Sequence, residues 1–166
     1  MDWTHEEGIK NVRARFSDFS FPKKPITFGE EYIFPEDITN LLSPDLGTWM
    51  FKLAAWKGYA LRLLSKIEIE ESIIEDTYSS AISTNMVKIN SDKKLNKDLM
   101  IGLVLESNPK LKQLKIVLIE KAAEVTSLKR LVEMYSLQLE IVSREITRRS
   151  LDLQLMQRGA ILTHNK

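Results

Sequence analysis

Residues 111–153 read LKQLKIVLIEKAAEVTSLKRLVEMYSLQLEIVSREITRRSLDL, and apolar side chains return through them in steps of three and four. One register is Leu111, Leu118, Val125, Val132, Leu139, Ile146 and Leu153; the other is Leu114, Lys121, Leu128, Tyr135, Val142 and Arg149. This spacing keeps one seam of an α-helix facing a partner helix. Asn108-Pro109 marks the start, because the residue before a proline disfavours the helical region and proline suits a first turn. The pattern predicts a helix from there to about residue 155, on the order of 70 Å at roughly 1.5 Å per residue. That is longer than a compact domain of this size needs, so the helix is expected to form a bundle or oligomer surface.

The expected subunit interface is Leu111, Leu114, Leu118, Val125, Leu128, Val132, Tyr135, Leu139, Val142 and Ile146. Leu and Val in one register with Lys, Tyr and Arg in the other is a poor match to a two-stranded zipper, which favours a higher-order assembly. Lys121 and Arg149 fall on the seam itself, where they set register or pair with acids across it.

Upstream, Ser43-Pro44-Asp45 has the make-up of a helix start: a capping Ser, Pro in the first turn, and Asp on the helix dipole. Helical spacing from Leu46 through Trp49, Leu53, Trp56, Ala60, Ile67, Ile74 and Ala81 predicts a helix over 44–82. Gly47 and Gly58 weaken it by up to about 1 kcal/mol each, or admit another backbone closely. The polar stretch 83–96 reads as a loop, and Leu95, Leu99, Leu103 and Val104 mark a short helix over 95–106.

At the N-terminal end, Thr4 and Glu7 form a capping box for a helix over about 5–15. Residues 26–34, ITFGEEYIF, read as a small β-hairpin or an extended arm. The expected fold is therefore all-α: a long antiparallel helical hairpin (43–166) with a coiled-coil-like C-terminal helix, preceded by an N-terminal arm (1–42) of a short helix and either a β-hairpin or an extended segment.

A chain of 166 residues can bury a real core. The absence of cysteine excludes a disulfide framework and thiolate metal sites, and suits a reducing, cytoplasmic compartment. No apolar run is long enough for a transmembrane helix, so no membrane partner is expected, and the acidic, polar start is unlike a signal peptide. The net charge of +1 conceals a gradient. Residues 1–40 hold five Lys or Arg against eight Asp or Glu, and residues 84–166 hold fifteen against nine. A basic C-terminal half is a footprint for a polyanion partner, although such an excess is also common on solvated helices.

Catalytic constellations are nearly absent. His5 and His164 stand close to the two ends with no ligand-spaced partner, no Gly-rich phosphate loop occurs, and the serines lack a histidine base. No enzyme, metal or cofactor is expected. Glu68, Glu71, Glu75 and Asp76 share a helix face that a hard cation could use, but a solvated acidic face is the stronger reading. Three basic clusters are candidate nucleic-acid contacts: Lys93, Lys94 and Lys97; Lys110, Lys112 and Lys115; and Arg144, Arg148 and Arg149. Glu140 and Glu145 each precede an arginine by four residues and compete for the last cluster. Trp49, Trp56 and Tyr59 could stack bases, but repeat on the apolar face and read first as core.

The run Val104-Leu105-Glu106-Ser107-Asn108-Pro109, the leucines that follow it, and the closing Ser143-Arg144-Glu145-Ile146-Thr147-Arg148-Arg149 form a layout with Leu46-Gly47-Thr48-Trp49-Met50 and its Glu-rich helix. Over residues 44–155 this layout resembles small helical proteins of tailed phages in the UvsY-like recombination mediator family. The resemblance implies an α-helical, ring-forming homo-oligomer. It further implies a protein that binds single-stranded DNA and helps load a recombinase onto DNA coated by single-strand-binding protein. The family's Ser-Arg element maps onto Ser143 and Arg144. Its basic stretch at the end of the first helix falls near 68–76, which is acidic here, so DNA contact would move to the lysine loop or the C-terminal arginines. The alternative is a structural or scaffolding coiled-coil protein without nucleic-acid affinity.

Overall fold

The computed structural model describes residues 5–17, 19–25, 33–89 and 96–164, and the side chains of 6–17, 19–25, 33–88 and 96–158. It is mostly helical: α1 (His5–Ser17), a 3-10 turn (Ile38–Asn40), α2 (Ser43–Ile89), α3 (Lys97–Ser107) and α4 (Pro109–His164). Among the described residues there is no strand. The segment expected to form a hairpin falls largely outside them, at 26–32, and Ile33 and Phe34 are non-helical and unpaired into any sheet.

Local chemistry sets the helix starts. The amides of Asp45 and Leu46 both donate to the Leu42 carbonyl, at 3.0 and 3.1 Å, so α2 begins from Leu42 and not from the Ser43 side chain. Asn96 opens α3 by accepting from the Asp98 amide. Asn108 sits in extended backbone, as a residue before proline should, and its side chain accepts from the Leu111 amide to open α4. No membrane-crossing candidate exists among the described residues: no helix is long and apolar enough.

The chain divides into two compact units, Met1–Phe21 with Arg62–Lys129 and Pro22–Leu61 with Arg130–Lys166. This cuts the expected N-terminal arm in two, because α1 packs with the second part of α2 while the segment around Phe34 packs with the first.

In the first unit, Ile74, Ile82, Val104, Leu111 and Leu114 are buried together, with Ile9, Tyr78, Leu105 and Leu118 packed around them. Glu70, 2% exposed, lies among these helices and pairs with Arg13 Nε of α1 at 2.8 Å and Lys121 Nζ of α4 at 3.4 Å. Lys129 pairs with Glu68 at 2.9 Å, so contacts along α2 and α4 run in opposite order within this unit. Phe16 stacks on Phe21 at 5.2 Å, and the Arg62 guanidinium covers the Phe21 ring.

In the second unit, Leu46, Leu53, Ala60, Tyr135, Val142 and Ile38 form the core. Each fully buried leucine there stabilises by about 1.5–3 kcal/mol relative to exposure. Trp49 and Trp56 pack against this core; Trp49 meets Phe34 edge-on at 5.6 Å and Trp56 meets Tyr59 edge-on at 6.2 Å. Gly47 and Gly58 admit no close backbone: a Cβ at Gly47 would meet nothing, and at Gly58 only the Pro22 ring.

Most of the seam on α4 packs into these two cores; Val125 is buried and Leu128 half-buried outside both. None of the ten residues expected to form a subunit interface is exposed, and Leu111, Leu114, Val125, Tyr135 and Val142 are buried by the chain itself. Because α2 extends to Ile89, Met86 still packs in the first unit's core beyond the expected end at 82, while Leu153, the last position of the stripe, is 61% exposed.

Candidate interaction surfaces

The basic clusters divide into those already neutralised and those not. Arg144 pairs with Glu140. Arg148 holds Glu145 through Nε and Nη2, at 2.8 and 2.7 Å, and Asp152 through Nη1 at 2.8 Å. Arg149 donates from Nε to Glu145 Oε1 at 2.7 Å, from Nη2 to the Thr39 carbonyl at 2.9 Å, and from Nη1 to Ser43 Oγ at 3.3 Å. Arg149 therefore ties α4 to the 3-10 turn and the start of α2, which is how a charged side chain comes to sit on the seam. The hydrogen bonds of Arg148 and Arg149 hold the Glu145 carboxyl down at about 2.

Lys121, the other charged seam position, reaches Glu124 and Glu70. Burial pushes the Glu70 carboxyl up, but the hydrogen bonds and charges of Arg13 and then Lys121 outweigh it and hold the carboxyl below the usual carboxylate range. Glu70 is absent from the acidic face that the sequence marks on α2. The signal was there: Ile67 and Ile74 flank it at three and four residues, placing position 70 on the inward face.

Lys97, Lys110, Lys112 and Lys115 are exposed, and none has an ion-pair partner among the described residues. Lys97 begins α3, while Lys110 and Lys112 lie in a first turn of α4 that holds no acid. Cations there oppose the helix dipole at a cost of a few tenths of a kcal/mol. Lys93 and Lys94 lie outside the described residues. Of the acidic group on α2, Glu68 is taken by Lys129. No group of three His, Asp or Glu among the described residues is arranged to hold a metal ion.

The surface missed in the sequence is a second apolar stripe on α4. Met134, Leu137, Ile141, Leu151 and Leu155 are 38 to 65% exposed, and Arg130, Arg144 and Arg148 fill the intervening places. The eight positions alternate steps of four and three and lie on the opposite side of α4 from Tyr135 and Val142. No family model, curated protein or solved structure matches the chain.

Proposed function

We propose that this protein is a non-enzymatic helical assembly protein, in which α2 and α4 form an antiparallel, coiled-coil-like hairpin and the outer face of α4 receives a partner helix. The observation that carries this reading is the two-sided helix. A surface helix of a globular protein shows one apolar stripe, and one apolar on opposite sides belongs inside a larger helical packing. The neutralised arginines support it too, since Arg144, Arg148 and Arg149 would each have to leave an acid to meet a phosphate. The test is mass by light scattering across a concentration series. Self-association, or a defined complex with a helical partner, supports the reading; a protein that remains monomeric and binds no helical partner overturns it.

The unpaired lysines favour a second reading: an oligomeric single-stranded-DNA-binding accessory of phage recombination, working beside a recombinase or single-strand-binding protein in the host cytosol, as the UvsY-like resemblance implies. The relevant contacts would be Lys97, Lys110, Lys112 and Lys115, with Lys93 and Lys94 next to them in sequence. Titration of a fluorescent single-stranded oligonucleotide at low and moderate salt, with a duplex control, tests it. Tight, salt-sensitive binding that prefers the single strand would support it, and absence of binding at low salt would remove it.

A further inference from the structure

We infer that the occupant of the outer α4 stripe is a second copy of the same stripe, paired antiparallel about a two-fold axis between Ile141 and Arg144. This deepens the assembly reading and rests on it. The stripe spans residues 130–155 within one compact unit, roughly four heptads, the length at which such a repeat argues for a coiled coil.

The identity of the occupant follows from where the arginines stand. A parallel, in-register pair would stack Arg130, Arg144 and Arg148 each on its own copy, three like-charge layers inside an apolar seam. Antiparallel pairing removes the repulsion in one register. There Met134 opposes Leu151, Leu137 opposes Arg148, Ile141 opposes Arg144, and Arg130 opposes Leu155. Sliding by one heptad either way sets Arg144 against Arg148, or Arg130 against Arg148. In the favoured register every arginine lays its aliphatic stem on an apolar side chain and sends its charged head to the rim. Arg148 then lies beside Leu137 of the other copy, within one turn of that copy's Glu133 and Glu140.

Charge balance points the same way. The exposed charges of residues 130–158 are Arg130, Arg144, Arg148 and Arg158 against Glu133, Glu140 and Asp152, so two such faces do not repel as a strongly basic surface would. A nucleic acid would meet a face whose arginines are already held by Glu133, Glu140, Glu145 and Asp152.

The absence of cysteine makes the register directly measurable, because an introduced cysteine reports only on its own copy. With I141C and a short bis-maleimide linker, the two cysteines lie three residues apart along the axis, about 5 Å, and cross-link. With L155C they lie twenty-five residues apart, on the order of 37 Å, and do not. In parallel, the L137D/I141D double variant is run by light scattering and circular dichroism. Both positions are exposed, so its helicity should match the wild type while its mass halves. Cross-linking of both cysteine variants means a parallel pair and overturns the proposal. An L137D/I141D variant that keeps the wild-type mass overturns the stripe as the contact while leaving the assembly reading standing. A wild-type chain that is monomeric at every concentration overturns the self-pairing and leaves the stripe to a different protein.

Discussion

Glu70 shows how one ionised side chain can be kept inside a helical core. Its carboxylate is enclosed, yet Arg13 and Lys121 reach it from two other helices, so removing it leaves two cations beside a lost anchor for α1. Arg13 and, in part, Lys121 can turn to water, which reduces the cost below that of stranding a fully buried charge. E70A should therefore lose about 1–3 kcal/mol in chemical denaturation. Glu145 and Glu70 also make the stability of the fold depend on pH. Both have folded-state values below the ordinary 4.5, so the stability they contribute is present above that value. It is lost as pH falls from there, for Glu145 toward about 2. Thermal melts from neutral pH downward should show a steep fall in that window, and E145Q should start lower and show a shallower fall. Gly47 offers the opposite effect. Its missing Cβ would meet nothing, so G47A should stabilise by about 0.5–1 kcal/mol through helix propensity alone, raising the denaturation midpoint at constant slope. Of these residues, only the pairing of Glu145 with Arg149 could be read from spacing; Glu70 needed its inward position to be recognised through neighbours on both sides.

Helix starts were legible and helix ends were not. Ser43-Pro44 and Asn108-Pro109 restrict the backbone where they stand, so α2 and α4 begin within a residue of where the sequence places them. The polar run after Ile82 reads as loop, but Ser83, Thr84 and Asn85 donate to the carbonyls of Ser79, Ser80 and Ala81, four residues back. Those side chains satisfy themselves on the helix, which continues to Ile89. At the other end of the chain no proline stops α4, and it runs to His164 instead of 155. The second stripe on α4 is hidden in the sequence for a different reason: Arg144 and Arg148 interrupt its apolar three-four pattern between Ile141 and Leu151. The cores themselves follow the sequence spacing closely, and Leu53, fully buried between α2 and α4, is the sharpest test of them. L53A should cost about 2–5 kcal/mol in denaturant unfolding, whereas L137D, an exposed position on the same pair of helices, should leave monomer unfolding nearly unchanged.

At the scale of the whole chain, the basic excess of residues 84–166 is of two kinds. Arg130, Arg144, Arg148 and Arg149 are paired with neighbouring acids, while the lysines at the starts of α3 and α4 have no ion-pair partner among the described residues. Composition alone could report the excess but not this split, because pairing depends on which acids fall one turn away. The split lets salt separate the two proposed activities. Association through an apolar stripe is held by burial, so the mass measured by light scattering should stay constant, or rise, as salt increases. Binding of a single strand by the lysines releases counterions, and its affinity should fall with a logarithmic slope of about −0.7 per phosphate neutralised. Replacing Lys110, Lys112 and Lys115 by Glu should flatten that slope by about two and leave the mass untouched. If the mass itself collapsed with salt, the copies would be joined by charge, and the apolar stripe would lose its place as the contact.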